Sequence, residues 1–155
     1  MGILVDSPLR ENGLRAPTGP APRDFSFAPK KSARVSVLVV DDEALIRWSL
    51  GETLTDHGYA VLEASDGRGA LAVLSNPPES VAVIMLDYRL PDSNGLQLLA
   101  AIRRLSPDSR VVMMTAYGTP DVAAEALRLG AVRVVDKPIE MNDVAEIVSR
   151  AARAS

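Results

Sequence analysis

From Val35 onward, short apolar runs alternate with segments of helical period, and that alternation limits what the 155-residue chain can fold into. The runs are Val35 to Val40, Tyr59 to Ala64, Val81 to Leu86, Arg110 to Met114 and Val132 to Val135. Four are rich in Val, Ile, Leu or Met with little polar alternation, as in strands buried on both faces of a parallel sheet. The more polar Tyr59-Ala-Val-Leu-Glu63 suits an edge strand. Ala44 to Asp56, Gly67 to Ser75, Gly95 to Leu105, Pro120 to Leu129 and about Met141 to Ala152 read as helices. Asp66 and Thr119 stand where helix starts need caps, Pro120 falls at a first helical position, and Gly58 and Gly130 follow helix ends. The pattern predicts a (βα)₅ chain of the α/β class, a five-stranded doubly wound parallel sheet with helices on both faces.

The first 34 residues lie outside this alternation. They hold five of the 11 prolines with six basic and three acidic side chains, a local charge of +3. A proline-rich, weakly apolar segment cannot offset its ordering entropy, so residues 1–34 are expected to form a disordered basic extension to a domain over 35–155. Its cations are open to an acidic partner or nucleic acid, but six charges spread over 34 residues fit a solvated tail better. The 11 basic and 17 acidic residues that remain give 35–155 a charge of −6, which disfavours direct DNA binding by that part. The longest apolar runs are far shorter than the roughly 20 residues of a membrane span, and the N-terminus lacks the apolar core of a signal peptide. A cytoplasmic chain without membrane contact is expected.

In open parallel sheets, sites form beyond the C-terminal ends of the strands. Those ends read Asp41 and Asp42 after the first run, Asp87 after the third, Thr115 after the fourth and Lys137 after the fifth. The second run ends in Ala64, as an outer strand would if the order is 2-1-3-4-5. Each residue alone has a plainer reading as a turn former or a cap, and Asp42 is placed to cap the first helix. Together they bring three carboxylates, a hydroxyl and an ammonium to one rim.

Packed carboxylates repel one another and partial burial adds a desolvation cost, so this cluster calls for a cation. The chain has no cysteine and one histidine, which excludes disulfides, thiolate or His-based metal sites and a Ser-His triad. Oxygen-only ligation points to Mg²⁺, with Mn²⁺ as the alternative. A divalent ion beside Asp87, an ammonium and a hydroxyl donor are the parts needed to transfer a phosphoryl group to a carboxylate. Lys137 is moreover the one lysine among ten arginines in 35–155.

These residues closely resemble the receiver domain of two-component response regulators. The matching pieces are Val39-Val-Asp-Asp-Glu43, Met85-Leu-Asp-Tyr-Arg-Leu-Pro-Asp92 followed by Gly95, Met114-Thr-Ala-Tyr-Gly118 and Asp136-Lys-Pro-Ile139. The resemblance covers residues 35 to about 153 and implies a flavodoxin-like sheet of order 2-1-3-4-5. It implies that Asp87 accepts a phosphoryl group from a sensor histidine kinase or phosphotransfer protein. Asp41, Asp42, Asp87 and the backbone carbonyl of Arg89 would hold Mg²⁺. Thr115 and Lys137 would be the switch and phosphate-binding residues, with Lys137-Pro138 often a cis bond in such domains. The wording around Thr115 looks most like receivers that precede a sigma-54 activator. The family's aromatic switch position on the fifth strand is Val134 here, and Val132 is also valine. Tyr117 is the candidate to take over part of the readout, or it lines the site entrance.

On the first helix, Ile46, Leu50, Thr53 and Leu54 form the core face, while Trp48 points away and makes an outer stripe with Leu45 and Glu52. Because the kinase grips this helix in related systems, the resemblance makes Leu45 and Trp48 candidate contacts for the phosphodonor, with Pro138 a further docking candidate, the alternative being cover by the extension or a second copy. His57 reads as a helix-end residue facing the carbonyl dipole rather than as a relay histidine. The expected function is a phosphorylation-controlled binding module that dephosphorylates itself slowly and is not a turnover enzyme. Weak dimerisation through the fourth helix, fifth strand and fifth helix is a further option from the resemblance. Two alternatives are an adaptor that needs no phosphate and an aspartate-dependent phosphatase of the haloacid dehalogenase type. The latter needs an acid two residues after its nucleophile, where Arg89 stands. The chain stops after the fifth helix, so action on a downstream protein or through an output domain outside the chain is expected.

Overall fold

A computed structural model describes residues 34–116 and 118–154. The extension expected over 1–34, apart from Arg34, lies outside the described residues, and so does Tyr117. Five strands, β1 (Ser36–Val40), β2 (Ala60–Ala64), β3 (Val81–Asp87), β4 (Arg110–Thr115) and β5 (Ala131–Asp136), form one sheet in the order β2-β1-β3-β4-β5. All four pairings are parallel. Five helices follow them in turn, α1 (Ala44–Asp56), α2 (Gly67–Ser75), α3 (Gly95–Leu105), α4 (Pro120–Arg128) and α5 (Met141–Ala152). The order and the alternation are those expected of the flavodoxin-like (βα)₅ pattern.

The two-residue period of a strand divides the core into two layers. Leu38, Val40, Ile84, Leu86, Val111 and Met113 face a layer with Ala70 and Leu74 of α2, Leu98, Leu99 and Ile102 of α3, and Ala126 of α4. Val37, Val39, Val83, Met85, Val112 and Met114 face the other, with Leu50 and Leu54 of α1 and Val144, Ile147 and Val148 of α5. Both sets of neighbours along β1, β3 and β4 are therefore buried, which is why these strands carry no polar alternation. Each such side chain contributes about 1.5–3 kcal/mol by leaving water.

The caps fall where the residue types require them. Asp66 accepts from the Gly69 N–H at 2.7 Å and Thr119 from the Val122 N–H at 3.2 Å. Gly58 and Gly130 take φ values of 90° and 110°, the left-handed region that closes α1 and α4. On α1, Leu50 and Leu54 are buried and Ile46 and Thr53 half-buried, as the helical spacing predicts.

One expectation needs correction. β5 is not buried on both faces: like β2 it is an outer strand, with Val132 and Val134 half-buried and Arg133 exposed. The plainer reading of Asp42 as a cap of α1 is set aside, because the cap position is Glu43, whose side chain makes no capping bond. In the loop after β3, Arg89–Leu90 and Ser93–Asn94 form a short antiparallel ladder before α3.

Candidate functional site

The ends of β1, β3, β4 and β5 carry the polar residues, and main-chain bonds run one step past the strands to hold them. The Asp41 N–H donates to Ala64 O at 3.1 Å, the Tyr88 N–H to Met114 O at 2.8 Å and the Lys137 N–H to Thr115 O at 2.9 Å. Asp41, Asp87 and Thr115 are almost completely buried, whereas Asp42 is exposed. One carboxylate oxygen from each of Asp41, Asp42 and Asp87 lies within 4.8 Å of the others. Lys137 reaches into this group from β5. Its Nζ lies 3.0 Å from Asp41 Oδ2, 3.5 Å from Asp87 Oδ2 and 3.5 Å from Glu43 Oε1. The Lys137-Pro138 bond is cis.

Burial, and then the nearby charge of Asp41, raise the Asp87 pKa from the ordinary 3.8 to about 6. The Arg89 N–H, 3.2 Å from Asp87 Oδ1, and the Lys137 ammonium offset this only in part. Lys137 shows the opposite balance. Burial works against its charge, but the bond to Asp41 and the charges of Asp41, Asp87 and Glu43 together hold its pKa above the ordinary value. The pocket is thus short of positive charge even with its ammonium in place.

A hard divalent cation fits this donor set. The ligand atoms on offer are all oxygens, two of the three carboxylates are buried, and the strained ionisation of Asp87 would be relieved by a second cation.

Sequence reasoning missed three supports. Arg47 of α1 donates to the Asp41 carbonyl at 2.6 Å and to Glu63 of β2 at 3.2 Å. Asp92 reaches from the loop after β3 to the start of α2, accepting from the Gly67 and Arg68 N–H groups at 2.8 and 3.0 Å. Those two N–H groups, in that order, and the Ser93 hydroxyl hold the Asp92 carboxyl below its usual range. Glu43 contacts Lys137 although it was read only as part of a motif. None of these carries a local signal, because each partner lies on another element.

Leu45 and Trp48 are 72% and 60% exposed on α1, so the outward stripe stands as read. Pro138 is exposed too, while Val134 packs partly into the α2–α3–α4 layer. The His57 ring nitrogen Nδ1 lies 2.9 Å from Thr53 O, a helix-end contact.

Residues 37–149 match the family model described as the response regulator receiver domain. The chain belongs to that family. As a receiver domain it is a component of two-component signalling. It is 31% identical over 114 residues to sporulation initiation phosphotransferase F of Bacillus subtilis, across 74% of this chain and 90% of that protein. It is 36% identical over 116 residues to the response regulator protein FleR of Pseudomonas aeruginosa, across 75% of this chain but only 24% of the longer regulator. Among solved structures, a Burkholderia pseudomallei response regulator protein with a phosphorylated aspartic acid, a calcium ion and citrate superposes with a TM-score of 0.65 at 27% identity. That match covers 75% of this receiver and 72% of the other chain. No described helix is long and apolar enough to cross a membrane.

Proposed function

We propose that Asp87 is the phosphoacceptor of this receiver, charged by a sensor histidine kinase or phosphotransfer protein, and that phosphorylation changes the surface it offers to a downstream protein. The observation that carries this reading is the buried Asp87 carboxylate set between two further aspartates and the Lys137 ammonium. A phosphorylated aspartic acid and a calcium ion in the similar B. pseudomallei protein support it.

In the transfer, an Asp87 oxygen forms a bond to phosphorus as the phosphorus–nitrogen bond of the donor's phosphohistidine breaks, and the released imidazole takes up a proton. Asp41, Asp42, Asp87 and the Arg89 carbonyl hold Mg²⁺, and Mn²⁺ satisfies the same donors. Bound there, the ion supplies positive charge to the transferring oxygens. Lys137 turns from its carboxylates toward a phosphoryl oxygen, and the Thr115 hydroxyl donates to another. Phosphorylation adds a charge of about −1.5 to −2, enough to recruit Thr115 and the loop beyond it. Tyr117, two residues after Thr115, takes over part of the readout that an aromatic residue in place of Val134 would carry.

Leu45, Trp48 and Pro138 line the approach by which the phosphodonor docks. The domain acts as a binding module with slow self-dephosphorylation rather than as a turnover enzyme. A phosphate-independent adaptor is the second reading, favoured by valine at both 132 and 134 of β5.

The test is incubation with Mg²⁺ and acetyl phosphate followed by intact mass measurement. Wild type should gain one hydroxylamine-labile phosphoryl group, and Asp87→Ala and EDTA-treated samples none. Trp48→Ala should label normally with acetyl phosphate but accept phosphate more slowly from its kinase. An unlabelled wild type, or a label that survives in Asp87→Ala, overturns the assignment.

A further inference from the structure

Asp41 is tied down at every polar atom, and one of those ties comes from a residue that touches neither phosphate nor cation. Its N–H is bonded to Ala64 of β2. Its two carboxylate oxygens accept from the Glu43 N–H at 2.9 Å and from Lys137 at 3.0 Å. Its carbonyl accepts from Arg47 Nη1 at 2.6 Å. This carbonyl lies before the first turn of α1, so the helix cannot supply its partner.

The guanidinium that does so is itself aimed. Arg47 Nε donates to Glu63 Oε1 at 3.2 Å, and the Arg47 side chain is only 20% exposed. Residue 51, one turn along α1 from Arg47, is glycine and leaves Glu63 room there: a Cβ at that position would crowd Glu63 Oε2 at 3.2 Å. Both backbone groups of Asp41 are thereby referred to β2, the N–H directly and the carbonyl through Arg47 and Glu63. A planar fork with fixed donor directions suits such bridging, and an ammonium does not reproduce it.

We propose that Arg47 is a positioning residue for the acidic pocket, fixing the peptide that follows Asp41 and so the direction in which Asp41 and Asp42 present their carboxylates. The proposal rests on the reading of that pocket as a divalent-cation site. Partners that orient metal ligands at one remove typically affect affinity by 10–100-fold. Here Asp41 keeps its other ties, so the effect belongs at the lower end.

Mn²⁺ binding to the full chain, followed by electron paramagnetic resonance of the free ion, tests this with no phosphotransfer involved. Arg47→Met keeps much of the aliphatic stem without donors and should weaken binding about 10-fold. Arg47→Lys should recover only part of that loss, and Glu63→Gln, which leaves the carbonyl bond possible, should weaken binding about 2–3-fold. Arg128→Met, on the exposed face of α4, should bind as wild type does. Amide NMR shifts should change at Asp41 to Glu43 in Arg47→Met while those of α4 and β5 hold, separating a local effect from a general loss of structure. Binding by folded Arg47→Met within 2-fold of wild type overturns the positioning role, and Glu63→Gln supplies the reading if Arg47→Met does not fold. A wild type that binds no Mn²⁺ overturns the cation-site reading itself.

Discussion

Replacing Asp87 with asparagine should make the metal-free domain more stable at neutral pH. The Asp87 carboxyl titrates at about 6 in the fold against an ordinary 3.8. Well below pH 3.8 it is protonated in both folded and unfolded chains and costs nothing. As the pH rises from 4 to 6 the unfolded chain loses its proton first, so the folded state loses stability across that window and is fully penalised above it. A difference of 3.8 to about 6 corresponds to about 3 kcal/mol. The substitution also weakens the contact with Lys137 and leaves Asp41 repelling Asp42, so about 2 kcal/mol is the expected net gain, or roughly 5–10 °C in Tm. Urea unfolding of wild type and Asp87→Asn in EDTA should give that advantage at pH 8 and little of it at pH 4. Saturating Mg²⁺ should shrink or reverse it, because a ligand at 100 times its Kd stabilises wild type by about 2.7 kcal/mol. An advantage independent of pH, or a variant no more stable than wild type at pH 8 in EDTA, would refute the account of a charge held against its solvation.

Two further substitutions probe the loop that follows Asp87. Asp92→Asn should lower the unfolding midpoint at pH 7, because the carboxyl is held below its usual range by the Gly67 and Arg68 N–H groups. That stabilisation is present above the ordinary carboxylate range and disappears as the pH falls through the lowered value, so the two proteins should converge in acid. Gly95→Ala should cost about 2–3 kcal/mol, since its Cβ would fall 2.5 Å from the Tyr88 carbonyl oxygen and 3.0 Å from the Tyr88 Cα. Those are backbone atoms that no rotamer change can move aside. Calorimetric unfolding and Mg²⁺ titration of the same sample should show both properties falling together.

The sheet was legible because its central strands are buried on both sides and must be apolar throughout, and the site because polar residues can end such strands only at the rim. Asp41, Asp87, Thr115 and Lys137 all stand where an apolar run stops. β5 was misread because four valine-rich residues look alike in a central and an outer strand; what differs is which neighbour covers them. Asp42 as a cap, its plainer reading, is set aside because several polar residues follow β1, and the cap position depends on where α1 begins to turn. Arg47, Glu63 and Asp92 were illegible for a common reason. Arg47 meets Glu63 16 residues away and Asp92 meets Gly67 25 residues away, separations that only the packing of α1 on β2 and of the loop after β3 on α2 brings together.

The hydrogen bonds that run past the strand ends into Asp41, Tyr88 and Lys137 bear on how long the pocket exists at all. These amides extend the ladder of the sheet by one step at its C-terminal rim, two of them between a central strand and an edge strand. Exchange of their hydrogens should therefore be slower than that of loop amides without such bonds. To that extent the frame of the pocket lasts as long as the sheet does. A lesion at Ile84, buried in the middle of β3 and not among the residues of the pocket, would act on the cation mainly by reducing the fraction of time in which there is a site to fill.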